Sequence, residues 1–226
     1  MRSLSSITLL PCIAAFALSC GVRAPGHTPG SISSSAPIPL EEAVSGEALH
    51  VATGETTETL KAQNPRVTSI EDFLAEKPTG LTPLEIRALA ETLIEESDRH
   101  GIEPRLVLAV MYVESRFHAF AISPVGALGL MQVLPSTGRE MAMRLGIEWK
   151  GPETLFDPVA NTRIGVAYMK QLTRRYDELN TALAAYNWGP GAIDRRIRRG
   201  SPVPVQYPTL IMEAYSQPAM EVAIQS

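Results

Sequence analysis

The chain is poor in cysteine and has no excess of positive charge, and each shortage excludes a class of protein. Its 2 cysteines both lie before residue 21, so we expect no disulfide framework and no cysteine-based metal site in the rest of the chain. Its 4 histidines show no metal-ligand spacing, and we expect no metal and no other cofactor. A net charge of −4 argues against a nucleic-acid partner, which usually requires a basic excess.

The first 20 residues have the features of an export signal. A positive charge at Arg2 precedes an apolar run from Ile7 to Leu18, which is shorter than the roughly 20 residues that span a bilayer. The run ends in Ala-Leu-Ser-Cys, which resembles a bacterial lipoprotein lipobox. We therefore predict a signal peptide over 1–19 and a lipid-carrying Cys20, which would anchor the protein to a membrane. The alternative is an ordinary secretory signal cleaved nearby, which would leave a free thiol.

Two further features bear on location and domain organisation. Gly21 replaces the aspartate that often signals inner-membrane retention, so the outer membrane is favoured in a cell with two membranes. The following stretch is rich in proline, glycine, serine and threonine and poor in apolar residues, and we predict a flexible tether over 20–80. A folded domain over 81–216 and a tail over 217–226 complete the predicted division.

From Leu81 onward the pattern is helical. Thr82-Pro83-Leu84-Glu85 predicts a capping box, and apolar residues then recur at helical spacing until Gly101. Further helices are predicted from Pro104 to about Phe117, after a cap at Ser136 or Thr137, from Asp157 to about Tyr176, from Asn180 to Asn187, and from Ala192 to Arg199. No segment alternates convincingly with period two. The sequence therefore predicts a mainly helical domain.

Glu114 is the first candidate for chemistry. It lies at the end of a strongly apolar helix, where loss of water would raise the pKa of the carboxyl and let it act as a general acid. The alternative is a surface glutamate paired with Arg116. Between Ser115 and Arg139 there is no other acid. A second carboxylate, as two-acid glycosidases use, would come from elsewhere in the fold: Glu140, Asp157 or Asp177.

Three motifs follow one another in order: Glu114-Ser115, Gly129-Leu130-Met131-Gln132 and Ala185-Tyr186-Asn187. Their spacing, together with Asn161, Gly165 and Tyr168 in the intervening helix, resembles the catalytic domain of soluble-type (SLT) lytic transglycosylases. The resemblance covers roughly 81–215. It implies a lysozyme-like helical domain with a substrate cleft and at most a short β-hairpin.

The family resemblance also implies a reaction. Such enzymes cut the β-1,4 bond between N-acetylmuramic acid and N-acetylglucosamine in peptidoglycan glycan strands, and leave a 1,6-anhydro end. Glu114 would act first as acid and then as base.

Supporting roles are implied for residues of the second and third motifs. Ser123, Met131 and Gln132 match positions that line the cleft, while Tyr186 and Asn187 match the motif that faces the acid. The structural alternatives are that Met131 fills the core and that Asn187 simply ends its helix.

One departure from the family keeps other interpretations open. The family's Glu-Thr-x-x-Tyr-Val segment corresponds to 206–211, with Leu210 at the tyrosine position, so Tyr207 or Tyr215 would have to substitute. The rivals are a hydrolase resembling goose-type lysozyme and a catalytically silent peptidoglycan-binding scaffold. Several other side chains are left with both a functional and a structural interpretation: His118, Tyr168, Trp188, and the arginines at 195, 196, 198 and 199.

Overall fold

The computed structural model describes residues 64–222, with side chains described to residue 221. The predicted signal peptide, Cys20 and most of the predicted tether lie outside this range. The α-helices are α1 Pro65–Ala75, α2 Pro83–His100, α3 Pro104–Ser115, α4 Pro135–Leu145, α5 Pro158–Arg175, α6 Leu179–Trp188, α7 Pro190–Arg198, α8 Gln206–Tyr215 and α9 Pro218–Val222. A 3-10 helix, Pro152–Phe156, precedes α5.

Proline marks the start of most of these helices. Seven of the nine α-helices named above have proline as their first residue. The first amide of a helix has no partner within the helix, so proline loses no hydrogen bond there and its fixed φ favours helical geometry. The high proline count of the chain, 18, therefore helps to set where helices begin.

The prediction of a mainly helical domain is confirmed. Between residues 64 and 222 there is no strand, and β-pairing is limited to the isolated antiparallel bridges Ile122–Leu128 and Leu128–Val133. These bridges lie in the connection between α3 and α4. No helix in this range combines the length and the apolar character needed to cross a bilayer.

The pairing of α2 with α5 forms the centre of the core. Leu89 and Leu93 of α2 and Ile164 of α5 are fully buried in the main hydrophobic cluster. The predicted capping box at the start of α2 is confirmed, since Thr82 N–H donates to Glu85 Oε2 at 2.8 Å. Gly101 ends the helix in the left-handed conformation with φ 59°.

The predicted end of the tether at residue 80 is wrong, because α1 belongs to the folded domain. Its residues Val67, Ile70 and Leu74 are buried in the core. The Phe73 ring meets Phe117 edge to face at 5.5 Å between centroids. Three apolar residues at helical spacing carry this packing, and a run that short has little periodicity beside its polar neighbours.

The predicted tail also begins too early. α9 packs on the domain through Met220, of which 2% is exposed. Smaller differences concern helix starts. α6 begins after Glu178 rather than at Asn180, and α4 begins after Leu134 rather than after a cap at Ser136 or Thr137.

Candidate active site

Glu114 lies in the last turn of α3, which ends abruptly one residue later. Arg116 and Phe117 have φ values of 54° and 67°, a left-handed conformation that is uncommon without glycine. Packing compensates for this strain, since Phe117 is 2% exposed and contacts Phe73. The helix was predicted to reach about Phe117. Its earlier end leaves Glu114 next to a sharp turn of the backbone.

The carboxyl of Glu114 is half-buried and its pKa is raised to about 7, because burial removes water from the charged form. Tyr207 opposes part of this rise by donating a hydrogen bond to Glu114 Oε1 at 2.5 Å. The group therefore holds a proton near neutrality yet remains accessible from one side.

A loop from His118 to Leu134 passes beside the end of α3 and contains the second motif. Ser115 fixes it to the helix, since its hydroxyl donates to Leu130 O at 2.8 Å. Gly129 has φ 75°, and a Cβ there would overlap Leu155 O and the side-chain amide of Asn161. Glycine is thus required by both backbone conformation and close approach.

Asn161 in α5 holds the other side of this loop. Its side chain is fully buried and makes three hydrogen bonds. Nδ2 donates to Leu128 O at 3.0 Å and to Leu155 O at 2.8 Å, while Oδ1 accepts from Met131 N–H at 2.9 Å. The loop was predicted from its glycines, but the role of Asn161 as its clamp was missed. The signal in the sequence was its match to the family pattern in the helix between the second and third motifs.

Met131 does not line the cleft as the family resemblance implied. Its side chain is fully buried and packs against Gly165, where a Cβ would overlap the Met131 sulfur. Its carbonyl accepts a hydrogen bond from Tyr186 Oη at 2.8 Å. The structural alternative, that Met131 fills the core, is therefore correct. Gly165 has no side chain and so leaves the space that the Met131 side chain occupies.

Tyr186 comes close to the acid but does not hold it. Its hydroxyl is committed to Met131 O, and its pKa is raised well above the usual value by burial first and then by the negative charge of Glu114. This electrostatic coupling joins the first and third motifs in one site. The Tyr168 ring lies 5.5 Å from that of Tyr186. Asn187 follows in the last turn of α6 and is half-buried.

Ser123 and Gln132 were expected to bind substrate, and their observed contacts lie within the loop. Gln132 Nε2 donates to Ala121 O at 3.1 Å and to Gly129 O at 2.8 Å. Ser123 Oγ accepts from Ala127 N–H at 2.9 Å, which leaves its own proton for donation. Both side chains are half-buried, so the Gln132 carbonyl and the Ser123 hydroxyl are the groups available to a ligand.

The other candidates for chemistry near Glu114 take different positions. Glu140 pairs with Arg144 at 2.6 Å, and Asp157 Oδ1 caps α5 by accepting from Ala160 N–H at 2.7 Å. Asp177 is exposed in the turn between α5 and α6. His118 would stand one helical turn from Glu114 only if α3 continued, and α3 ends at Ser115. In the part of the chain described, no group of three or more potential metal ligands is present.

The site is a half-buried acid bordered by a clamped glycine loop and a tyrosine-bearing helix, and the sequence that forms most of it matches a known family. Residues 91–202 match the family model of the transglycosylase SLT domain. This match confirms the resemblance drawn from the three motifs.

Individual relatives show the same likeness. The chain is 39% identical over 110 residues to membrane-bound lytic murein transglycosylase C of Pectobacterium atrosepticum, covering 44% of this chain and 30% of that protein. It is 33% identical over 120 residues to the transglycosylase of Enterobacteria phage PRD1, covering 47% of this chain and 42% of the phage protein. The chain thus spans less than half the length of these relatives.

Among solved structures, an inactive mutant of the lytic transglycosylase Slt from Pseudomonas aeruginosa is similar, with a TM-score of 0.45 and 28% identity. The match covers 59% of this chain and 22% of that one.

Proposed function

We propose that the chain is a peptidoglycan lytic transglycosylase in which Glu114 is the single catalytic carboxyl. The observation that supports this most strongly is the pKa of about 7 for a half-buried glutamic acid at the meeting point of the motifs. A general acid works best when its pKa lies near the working pH, because it then holds its proton and can still release it. The names of the relatives support the same activity.

The proposed reaction uses Glu114 twice. In the first step its proton passes to the glycosidic oxygen, and the bond from that oxygen to C1 of N-acetylmuramic acid breaks. The 2-acetamido group of the substrate stabilises C1, which replaces a protein nucleophile. In the second step the ionised Glu114 takes the proton of the C6 hydroxyl as O6 bonds to C1. The product is a 1,6-anhydro end, and the carboxyl returns to its starting form without consuming water.

The supporting side chains have distinct proposed roles. Tyr207 positions the acid and stabilises its ionised form between the two steps. Tyr186 positions the loop through Met131 O and adds an apolar wall beside the acid. The free donor of Ser123 and the free carbonyl of Gln132 would meet acetamido groups of the glycan, with Asn187 at the cleft edge.

Product analysis tests the proposal. Residues 23–226 should release soluble muropeptides from purified sacculi, and mass spectrometry should show anhydro ends. Glu114→Gln should reduce release by at least a thousand-fold while binding is retained, since the amide has no proton to give. Glu140→Gln and Asp177→Asn are matched controls and should keep most of the activity.

The rivals give different results. Products heavier by one water would identify a hydrolase of the goose-type-lysozyme kind. Binding of sacculi without any release by the unmodified protein would identify a scaffold. Strong loss of release in either control variant would indicate a second catalytic carboxylate.

We further propose that the protein acts from the cell envelope, attached by lipid on Cys20 and facing the periplasm from the outer membrane where two membranes exist. The lipobox-like sequence supports this, and relatives carry the description membrane-bound. The corresponding division is a signal over 1–19, a linking segment from residue 20 and a catalytic domain. Cys20→Ser should move the protein from the membrane fraction to the soluble envelope fraction, and unchanged fractionation would contradict the anchor.

A further inference from the structure

A basic strip lies on α7 and the residue after it. It consists of Arg195, Arg196, Arg198 and Arg199, of which Arg195, Arg198 and Arg199 are exposed and Arg196 is half-buried. Residues 190–199 contain one acid, Asp194, and so carry a net charge of +3 in a chain whose overall charge is −4. One arginine at a helix C-terminus complements the helix dipole, but this purpose does not require four.

The hydrogen bond from Tyr176 and, to a lesser extent, Arg198 of the basic strip lower the pKa of Asp194, but no arginine of the strip forms an ion pair among residues 64–221. Asp194 is already engaged, since its Oδ1 accepts from Tyr176 Oη at 2.8 Å and its Oδ2 pairs with Arg175 at 2.5 Å. None of the ion pairs formed by residues 64–221 includes an arginine of the strip. The positive charge is therefore directed to solvent, where it is available to an external anion.

The strip begins where the proposed active site ends. α6 carries Tyr186 and Asn187, and α7 starts two residues after Trp188, following a turn at Gly189 with φ 79°. Trp188 is 42% exposed, and the Arg196 guanidinium lies 5.8 Å from its ring centroid. The strip is therefore joined to the helix of the third motif by one short turn, and Arg196 lies beside the residue that follows Asn187.

The chemistry of the strip favours carboxylates on a flexible polymer over a lipid surface. Guanidinium groups bind carboxylates through paired hydrogen bonds. A helix that inserts into a membrane surface needs an apolar outer face. α7 directs Ile193 into the core and leaves Ile197 as an isolated, half-exposed apolar residue among arginines.

We propose that the basic strip binds the carboxylates of the peptides attached to the glycan strand and so selects peptide-bearing over peptide-free glycan. This inference rests on the proposed function. The strip recognises the peptides on the strand, while the proposed active site cuts the glycan.

The test compares two variants and two substrates. Arg195, Arg198 and Arg199 are changed to Gln together, and Arg196 is kept because its Nη1 donates to Pro202 O at 3.3 Å. The matched control changes Lys77, Arg139 and Lys150 to Gln, which removes the same charge elsewhere. Substrates are intact sacculi and the glycan strands that remain when an amidase has removed their peptides. Binding is measured in a Glu114→Gln background at low and high salt, and product release in the otherwise unmodified protein.

The unmodified protein should bind intact sacculi more tightly than stripped glycan, and the difference should shrink at high salt. The strip variant should bind intact sacculi about five-fold more weakly, as expected for several exposed charge pairs, with binding to stripped glycan and maximal release rate unchanged. The charge-matched control should behave like the unmodified protein.

Equal binding of both substrates by the unmodified protein would overturn the inference, as would equal losses in the strip variant and its control. Loss of binding to phosphatidylglycerol vesicles by the strip variant, with its substrate preference intact, would also overturn it and identify a lipid-binding surface. If the unmodified protein releases no products but still binds intact sacculi more tightly than stripped glycan, the proposed function is contradicted and this inference stands.

Discussion

The hydroxyl of Tyr207 lies 2.5 Å from Glu114 Oε1, although 93 positions of sequence separate the two residues. This contact resolves the departure noted at Leu210. Leu210 is 51% exposed, whereas Tyr207, one helical turn earlier on α8, is 6% exposed and faces the acid. A tyrosine hydroxyl therefore reaches the carboxyl from an earlier position of the helix. Tyr215 is not the substitute, because its hydroxyl donates to Glu103 Oε2 at 2.7 Å.

Replacement of Tyr207 by Phe should change the pH profile of the reaction. The hydrogen bond stabilises the charged carboxylate, so its loss raises the pKa of Glu114 further and moves the alkaline limb of kcat/KM to higher pH. The maximal rate should fall about ten-fold, or ~1.4 kcal/mol, because the ionised intermediate loses its donor. Tyr215→Phe also removes a bond from hydroxyl to carboxylate and should leave the profile unchanged. A Tyr207→Phe profile that superimposes on the original would refute the role.

Replacement of Glu114 by Gln should stabilise the fold at alkaline pH. The folded pKa of about 7 exceeds the ordinary value of 4.5, so the folded state binds more protons than the unfolded state between these values. The free energy of unfolding of the unmodified protein therefore falls as pH rises from 4.5 through 7. Gln does not titrate, and it should add about 1–3 kcal/mol at pH 8 and little at pH 4.5, allowing for the partial exposure of the group.

Denaturant unfolding at several pH values measures this effect. Glu85→Gln provides a contrast of opposite sign, because the backbone N–H of Thr82 holds the pKa of Glu85 below its ordinary value. Glu85 contributes stability above pH 4.5 that is lost as pH falls through its folded pKa. Equal stability of Glu114→Gln and the unmodified protein at pH 8 would show that the acid is not desolvated.

Replacement of Asn161 by Ala should weaken both fold and activity. It leaves Leu128 O, Leu155 O and Met131 N–H without their side-chain partner in a buried site. The expected loss is about 3 kcal/mol of unfolding free energy, with product release reduced even where the protein is folded. Asn180→Ala, at an exposed position, should change stability by less than about 0.5 kcal/mol. Full activity in folded Asn161→Ala would show that the loop holds its shape unaided.

Local signals explain most of what could be predicted from the sequence. The capping box at Thr82, the stop at Gly101 and the helix starts at Pro83, Pro104 and Pro158 depend on residues a few positions apart, and they can be recognised from sequence alone. The ordered motifs likewise brought Glu114, the glycine loop and Tyr186 together. These features place the candidate site at the end of one helix, α3.

Contacts between distant residues could not be predicted in the same way. Asn161 binds backbone groups 30 and 33 positions away. The sequence does not distinguish an asparagine with such contacts from any other buried asparagine. Met131 belongs to a motif, but the direction of its side chain depends on the space that Gly165 leaves for it. α1 was assigned to the tether because its three apolar residues are too few to predict a packed helix. They are recognised as core residues only when α2 is seen to pack against them.

Both ends of the described chain support the helix that carries the acid. Phe73 of α1 packs on Phe117 just beyond the end of α3, and Tyr207 of α8 binds Glu114 itself. Neither residue falls within the family match, residues 91–202. Transfer of that span alone into another protein would carry the three motifs with it. It would leave behind the two aromatic side chains that shape the surroundings of the acid.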